Sequence, residues 1–363
     1  MLVDFEDNYK IDTEEKSNLT MDIRFSRKVA YLYNPDQLLP IFKNDVIAAM
    51  AKFFDVEVDL KSYKATNPLL EKIRKDFNIQ NPITFDITQK LMRFLYPKFE
   101  NSFPLELNMI LHGAPGTGKT FQATETVKNL IEISGGDVNE QMMIVQFHPS
   151  YGYEEFIDGI KPTGVSNGSV NLALVDGKFK KMCKKAFEEL QSFENKTQEN
   201  KKDIKPKQFY FIADEINRAE LSRVFGEVLL CIEKDKRLRF KKGKLEGMKV
   251  KTQNSSLWTD DDAIVVEVEG EKKKLFFGIP ENLYFIGTMN DIDRSVESFD
   301  MALRRRFIWK EMRCDYGLID NEAYGECCQA LNEYIINLPE LGSSFELGHG
   351  YFMDIDDTNK VLD

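Results

Sequence analysis

The sequence predicts an α/β fold with a parallel sheet at its core, preceded by a mostly helical N-terminal region. Three observations carry that expectation. From Leu107 onward, apolar runs of strand length alternate with stretches at helical spacing, which is the rhythm of a parallel sheet. A glycine-rich segment, Gly113-Ala114-Pro115-Gly116-Thr117-Gly118-Lys119-Thr120, separates the first such strand from the helix that follows. Upstream of it, apolar residues recur at intervals of three and four rather than alternating.

Residues 1–20 are polar and acidic without periodicity and read as a frayed terminus, with order beginning near Met21. Between Tyr31 and Phe54 the residues Leu38, Leu39, Ile41, Phe42, Val46, Ile47, Met50, Phe53 and Phe54 fall at helical spacing, with Asn34-Pro35-Asp36 as a start signal. A second helix is predicted from Leu69 to Phe77 and a third from Thr88 to Tyr96. Asn81-Pro82 breaks the pattern between them, and Pro97 to Pro104 reads as a linker. Phe53, Phe54 and the aromatics around Tyr96 share this helical spacing with other apolar residues and read as core, not as base-stacking surface. The sheet then follows: strands at Leu107–His112, Met142–Phe147, Phe209–Ala213 and Leu283–Thr288, with a helix from Thr120 to Ile133 after the first. The lysine-rich segment from Asn195 to Lys207 is expected to be an exposed loop.

Composition narrows the class of protein. A chain of 363 residues has room for two or three domains, each with its own core. No apolar stretch is long enough to span a bilayer and Met1-Leu2-Val3-Asp4 does not open a signal peptide, so the expected location is the cytoplasm, with no membrane partner. Five cysteines without CxxC spacing and three scattered histidines suggest neither a disulfide framework nor a zinc site. The net charge of −11 argues against a globally basic nucleic-acid coat but not against a local patch. Lysines concentrate at 178–207 and 234–251, where the neighbouring glutamates and glycines suggest solvated loops or helix faces.

The glycine-rich segment has the spacing and the strand-to-helix context of a Walker A loop. Its glycines let backbone N–H groups approach phosphate oxygens, and the helix N-terminus favours anions. Lys119 is placed to reach the outer phosphates, and the Thr120 hydroxyl to ligate Mg²⁺. The hydrophobic run Phe209-Tyr210-Phe211-Ile212-Ala213 ends in Asp214-Glu215, a Walker B pattern. In it Asp214 would hold the Mg²⁺ shell, and Glu215 would orient or deprotonate the attacking water. The strand Leu283–Thr288 leads to Met289-Asn290, where the polar side chain fits the sensor-1 role of AAA+ proteins. Arg304-Arg305-Arg306 closes a short helix, as cations that stabilise transition-state charge across a subunit boundary or as simple helix caps.

Four blocks together resemble the McrB-type AAA+ motor, the GTPase subunit of modified-DNA restriction systems. They are Gln146-Phe147-His148-Pro149-Ser150-Tyr151 with Tyr153, Glu154, Phe156, Ile157 and Gly159; Asp214-Glu215-Ile216-Asn217-Arg218-Ala219; Met289-Asn290-Asp291-Ile292-Asp293-Arg294-Ser295; and Ala302-Leu303-Arg304-Arg305-Arg306-Phe307. A fifth, Gly348-His349-Gly350-Tyr351-Phe352, is similar to the family's lid-region motif. The resemblance implies an AAA+ P-loop NTPase domain over 101–312, a partial helical lid over 313–363, and an N-terminal region of unknown specificity over 1–100. It also implies that Asn217 helps position the attacking water, that Asp293 and Arg294 organise the sensor region, and that Arg305 or Arg306 acts in trans. Family members form hexameric rings and are stimulated by a separate McrC-type nuclease subunit. The segment from Arg237 to Phe277 is longer than usual in the family, and its runs 263–269 and 273–277 suggest a β-hairpin.

The expected function is therefore Mg²⁺-dependent hydrolysis of GTP, or of ATP, powering a restriction or antiviral defence complex, with DNA engaged through the N-terminal region and cut by the partner. An AAA+ remodelling chaperone acting on protein substrates is the alternative, and a nucleotide-gated scaffold a third. The loop contacts phosphates rather than the base, so it does not distinguish GTP from ATP.

Overall fold

Two hydrophobic patterns give two compact units, residues 1–104 and 105–363. The computed structural model describes residues 27–28, 30–31, 37–62, 64–77, 79, 85–99, 103–166, 168–196, 205–269, 272–292, 301–338 and 340–353. The segment 1–20 therefore lies outside the described residues.

In the first unit, α1 (Asn44–Phe54), α2 (Asn67–Asp76) and α3 (Phe85–Phe99) each carry an apolar face. Helix α1 buries Val46, Ile47, Met50 and Phe54, and ends on Asp55 in the left-handed region. The predicted helix over Tyr31–Phe54 is only partly realised, because residues 37–43 are irregular. Pro40 lies within that segment; it lacks an N–H and pushes the residue before it out of helical geometry. Arg27 crosses here, donating to Phe42 O at 3.1 Å and to Asn44 Oδ1 at 2.7 Å. Helix α3 runs through Pro97 to Phe99, so the expected linker begins later than predicted. The Phe53 ring packs edge-on at 5.0 Å from Phe54 and 5.7 Å from Phe99, a core arrangement.

The second unit is built on five parallel strands. Its elements in order are β1 (Asn108–Gly113), α4 (Lys119–Ile133), α5 (Val138–Gln141), β2 (Met142–Gln146), α6 (Tyr153–Phe156), β3 (Asp158–Ser166), β4 (Ser169–Asp176), α7 (Lys178–Glu194), β5 (Phe209–Asp214) and α8 (Leu221–Phe225). There follow β6 (Arg239–Lys241), β7 (Lys244–Glu246), β8 (Val265–Glu269), β9 (Lys272–Phe276), β10 (Leu283–Asn290), α9 (Met301–Arg304), β11 (Ile308–Glu311) and α10 (Glu322–Asn337). The sheet order is β11-β1-β10-β5-β2, and all pairs run parallel. All strands therefore end on one edge, where open α/β sheets bind ligands. The core beside the sheet is aromatic: Phe156 stacks on Phe179 at 4.5 Å, Phe211 on Phe285 at 5.8 Å, and Phe307 lies 5.8 Å from Phe285.

Among the described residues three antiparallel hairpins accompany this sheet: β3–β4, β6–β7 and β8–β9. Only β8–β9 was expected. Two buried cations fix the roots of the decoration. Lys180 is fully buried and pairs with Asp158 and Asp176 at 2.7 Å each, while Trp258 Nε1 donates to the same Asp158 carboxylate at 2.8 Å. Part of the lysine-rich run is thus interior rather than solvated, because two carboxylates compensate the buried charge. Arg237, also fully buried, donates to Ile232 O at 2.7 Å, Pro280 O at 3.1 Å, Leu283 O at 2.9 Å and the Asn108 side-chain carbonyl. In the expected exposed loop, residues 197–204 lie outside the described residues. Among the described residues no helix is long and apolar enough to cross a membrane.

Candidate functional site

The site assembles at the carboxyl ends of β1, β5 and β10. Gly113 ends β1 at φ 144°, and a Cβ there would sit 2.3 Å from Met312 O, so only glycine lets the chain turn off the strand. Gly118 takes φ 70° and caps α4, which turns the first amides of that helix toward the loop. Ala114, Pro115, Gly116 and Thr117 complete the turn, and Thr117 Oγ1 donates to Ala114 O at 2.9 Å. Lys119 is 6% exposed and lies along its own loop, with Nζ 2.7 Å from Ala114 O and 3.2 Å from Gly113 O. Burial lowers the pKa of its ammonium, against the opposing pull of Asp291, Glu215 and Asp214.

The Walker B pair is placed by its strand. Asp214, the last residue of β5, accepts at one oxygen from two hydroxyls, Thr120 at 2.6 Å and Thr288 at 2.5 Å. Those two hydroxyl oxygens are 3.2 Å apart. Glu215 follows at φ 55°, a left-handed conformation that is strained for a non-glycine residue. Asn290 Nδ2 donates to Glu215 Oε1 at 3.1 Å, and Arg218 Nε lies 3.3 Å from Oε2. The carboxylate is thus held from both sides, by Asn290 and Arg218. Asn217 is buried, 4% exposed, in the short turn after Glu215, and lines a small cavity with Arg218, Glu220 and Leu303.

Among the described residues no group of three or more His, Cys, Asp or Glu side chains could cage a metal ion. A Mg²⁺ ion in a nucleotide site needs less, since one or two protein oxygens suffice where phosphates and water supply the rest. The Thr120 hydroxyl and the Asp214 carboxylate, 2.6 Å apart beside the loop, fit that donor set.

The arginines separate. Arg306 Nε lies 3.1 Å from Glu233 Oε1 with its side chain only 9% exposed, which commits it within the chain. Arg305 is exposed. It lines a cavity of about 630 Å³ with His112, Met289, Asp291, Arg304, Trp309 and Ser344. Asp293 and Arg294 lie outside the described residues.

Sequence reasoning missed Thr288, Asp291 and His112. Thr288 is two residues before Asn290 on one strand, hence on the same face, and that period was readable. Asp291 N–H donates to Gly113 O at 3.1 Å, and its carboxylate lies 2.9 Å from His112 Nδ1. This joins the residue after the sensor to the residue before the loop, a register no local pattern announces.

A family model described as AAA domain (dynein-related subfamily) matches residues 108–307. The chain is 34% identical over 263 residues to the type IV methyl-directed restriction enzyme EcoKMcrB subunit of Escherichia coli (strain K12), covering 68% of this chain and 48% of that protein. It is 23% identical over 240 residues to the type II restriction enzyme BsuMI component YdiS of Bacillus subtilis (strain 168), covering 60% of this chain and 61% of that protein. The chain thus spans about half to three fifths of the length of these relatives. A putative ATPase from Cytophaga hutchinsonii ATCC 33406 aligns over 70% of this chain and 54% of its own, at 14% identity, but its TM-score of 0.28 is too low to bear on the fold. With a parallel sheet, a P-loop and a Walker B pair in place, the chain belongs to the AAA domain family, dynein-related subfamily, and within it is a McrB-type AAA+ protein.

Proposed function

We propose that this chain is the nucleoside triphosphatase motor of a restriction complex, hydrolysing GTP with Mg²⁺ while a separate McrC-like nuclease cuts DNA. The observation that carries the reading is the convergence of the Thr120 and Thr288 hydroxyls on Asp214, with the next residue, Glu215, held by Asn290. The names of both curated relatives, each a component of a restriction enzyme, support the cellular setting.

In this reading the backbone amides of Gly116 to Thr120 cradle the phosphates, and Lys119 leaves the carbonyls of Gly113 and Ala114 for phosphate oxygens. Bound Mg²⁺, held by Thr120 and Asp214, supplies charge neutralisation. Glu215, oriented by the Asn290 amide, aligns the attacking water and takes its proton, with Asn217 beside it. Arg305, exposed and free of the ion pair that binds Arg306, serves the neighbouring subunit of a hexameric ring, and Asp293 and Arg294 support the sensor turn. Residues 313–363 form a partial lid, and residues 1–100 contact DNA.

The test is phosphate release from GTP and from ATP by the purified chain with its nuclease partner. GTP turnover that Lys119→Ala abolishes is expected. Turnover of ATP alone would defeat the GTP assignment, and no turnover of either would defeat the motor reading.

A further inference from the structure

We propose that His112 and Asp291 form a positioning pair for hydrolysis, an inference that rests on the nucleotide reading above. The imidazole clamps the carboxylate, ties the chain just after Asn290 to the strand that carries the P-loop, and so keeps the Asn290 amide on Glu215. The parallel ladder between β1 and β10 reaches Gly113 opposite Asn290, and Asp291 N–H then donates to Gly113 O at 3.1 Å. Side chains reinforce the ladder there. His112 Nδ1 lies 2.9 Å from one oxygen of the Asp291 carboxylate and 3.2 Å from the other. A carboxylate only accepts, so Nδ1 carries the hydrogen. One residue earlier, Asn290 Nδ2 donates to Glu215 Oε1 at 3.1 Å. Asn290 and Asp291 share a peptide unit, so a strand end released at Asp291 also releases the orientation of the Asn290 amide.

The imidazole is itself oriented. Trp309 on β11 meets its ring edge-on at 5.7 Å, and the indole is held in turn by its Nε1–H, which donates to Arg304 O at 3.0 Å. His112 O accepts from Met312 N–H at 2.7 Å, which ties its backbone to the chain just after β11. The pair differs from an exposed surface contact in two respects. Its side chains are only 25% and 17% exposed, in the wall of the cavity of about 630 Å³ that Arg305 also lines. Among the carboxylates that oppose the lowered pKa of Lys119, moreover, Asp291 acts most strongly, ahead of Glu215 and Asp214. Its charge is therefore felt at the lysine assigned to the outer phosphates, and its placement bears on the reacting end of the nucleotide.

The test combines phosphate release from GTP and from ATP by the full chain with its nuclease partner, binding of the β,γ-imido analogue of the nucleotide that is turned over, and thermal melts. His112→Ala should lower kcat about tenfold, the scale of one lost hydrogen bond to a charged group, while analogue binding changes by no more than about twofold. His112→Asn, which keeps an N–H donor near the place of Nδ1, should recover most of the loss. Asp291→Ala should lower kcat as far, and the double variant His112→Ala/Asp291→Ala no further, since both changes remove one contact. A purely structural pair would instead lower the melting temperature with kcat per folded chain unchanged, which would overturn the inference. Losses that multiply in the double variant would overturn it too. Should His112→Ala fail to fold, ¹⁵N-histidine NMR of the wild type, which has only three histidines, decides: hydrogen on Nδ1 of His112 is expected, and a bare Nδ1 overturns the pair. A wild-type chain that hydrolyses neither triphosphate defeats the nucleotide reading and this inference with it, whereas wild-type kcat in a folded His112→Ala chain defeats this inference alone.

Discussion

Replacing Thr288 with valine keeps the shape of a buried side chain and deletes one hydroxyl. That hydroxyl is 2% exposed as part of its residue and donates to Asp214 Oδ1 at 2.5 Å, sharing the oxygen with Thr120 at 2.6 Å. A hydrogen bond to a charged acceptor contributes about 1.5–3 kcal/mol. Asp214 keeps the Thr120 donor, so the lower end applies, a destabilisation of about 1.5 kcal/mol. For a unit of this size that corresponds to a fall in melting temperature of roughly 3–6 °C. The functional effect follows from the same geometry, since Asp214 loses one of two restraints and its carboxylate is free to rotate away from Thr120. Hydrolysis at saturating nucleotide should drop about tenfold, the kinetic equivalent of about 1.4 kcal/mol. Thermal melts and phosphate-release assays on Thr288→Val and Thr288→Ser check this, with serine expected to restore both properties. A folded valine variant with wild-type turnover would refute the claim that Thr288 positions the Walker B aspartate.

Further outcomes follow from other contacts. Glu215→Gln retains an acceptor for Asn290 but removes the proposed base, so turnover should fall by about 10²-fold or more while triphosphate binding persists; parallel binding and turnover measurements check it. Arg237→Met should destabilise the second unit by about 3 kcal/mol or more in denaturant titrations, because three carbonyls and Asn108 lose their buried donor. The lowered pKa of His349 gives a pH dependence with a definite sign. As pH falls through about 6.5, the unfolded chain binds this proton before the folded one, so the contribution is full above that pH and lost below it. Melts at neutral and mildly acidic pH should show the loss, and His349→Gln should flatten it.

The residues that meet at the candidate site were largely legible because its parts are local. The P-loop is a contiguous motif between a strand and a helix, and Asp214, Glu215 and Asn290 each stand where an apolar run stops. What escaped depends on strands that meet only in the fold. Thr288 matters because β10 lies beside β5, and His112 because β1 lies on the other side of β10. The β3–β4 hairpin carried a readable signal, Asn167-Gly168, but its strands expose Val165, Val170 and Leu172, so no buried face gave them a period to detect. Helical spacing between Gln37 and Lys43 was misleading because spacing reports which residues can face a core, whereas Pro40 disfavours helical backbone within that segment. Lys180 and Arg237 are invisible to composition for a related reason: a buried cation looks like a surface one until its carboxylates or carbonyls are found.

The central claim is that one chain supplies Glu215 and a neighbour supplies Arg305 to each working site. Mixing Glu215→Gln chains with Arg305→Ala chains in the presence of the nuclease partner tests it most directly. Each variant alone should be nearly inactive. An equal mixture should regain about a quarter of wild-type turnover, because random assembly pairs an intact Glu215 with an intact neighbouring Arg305 at about one interface in four. A mixture no more active than its components, or an Arg305→Ala chain as active as wild type, would contradict the account.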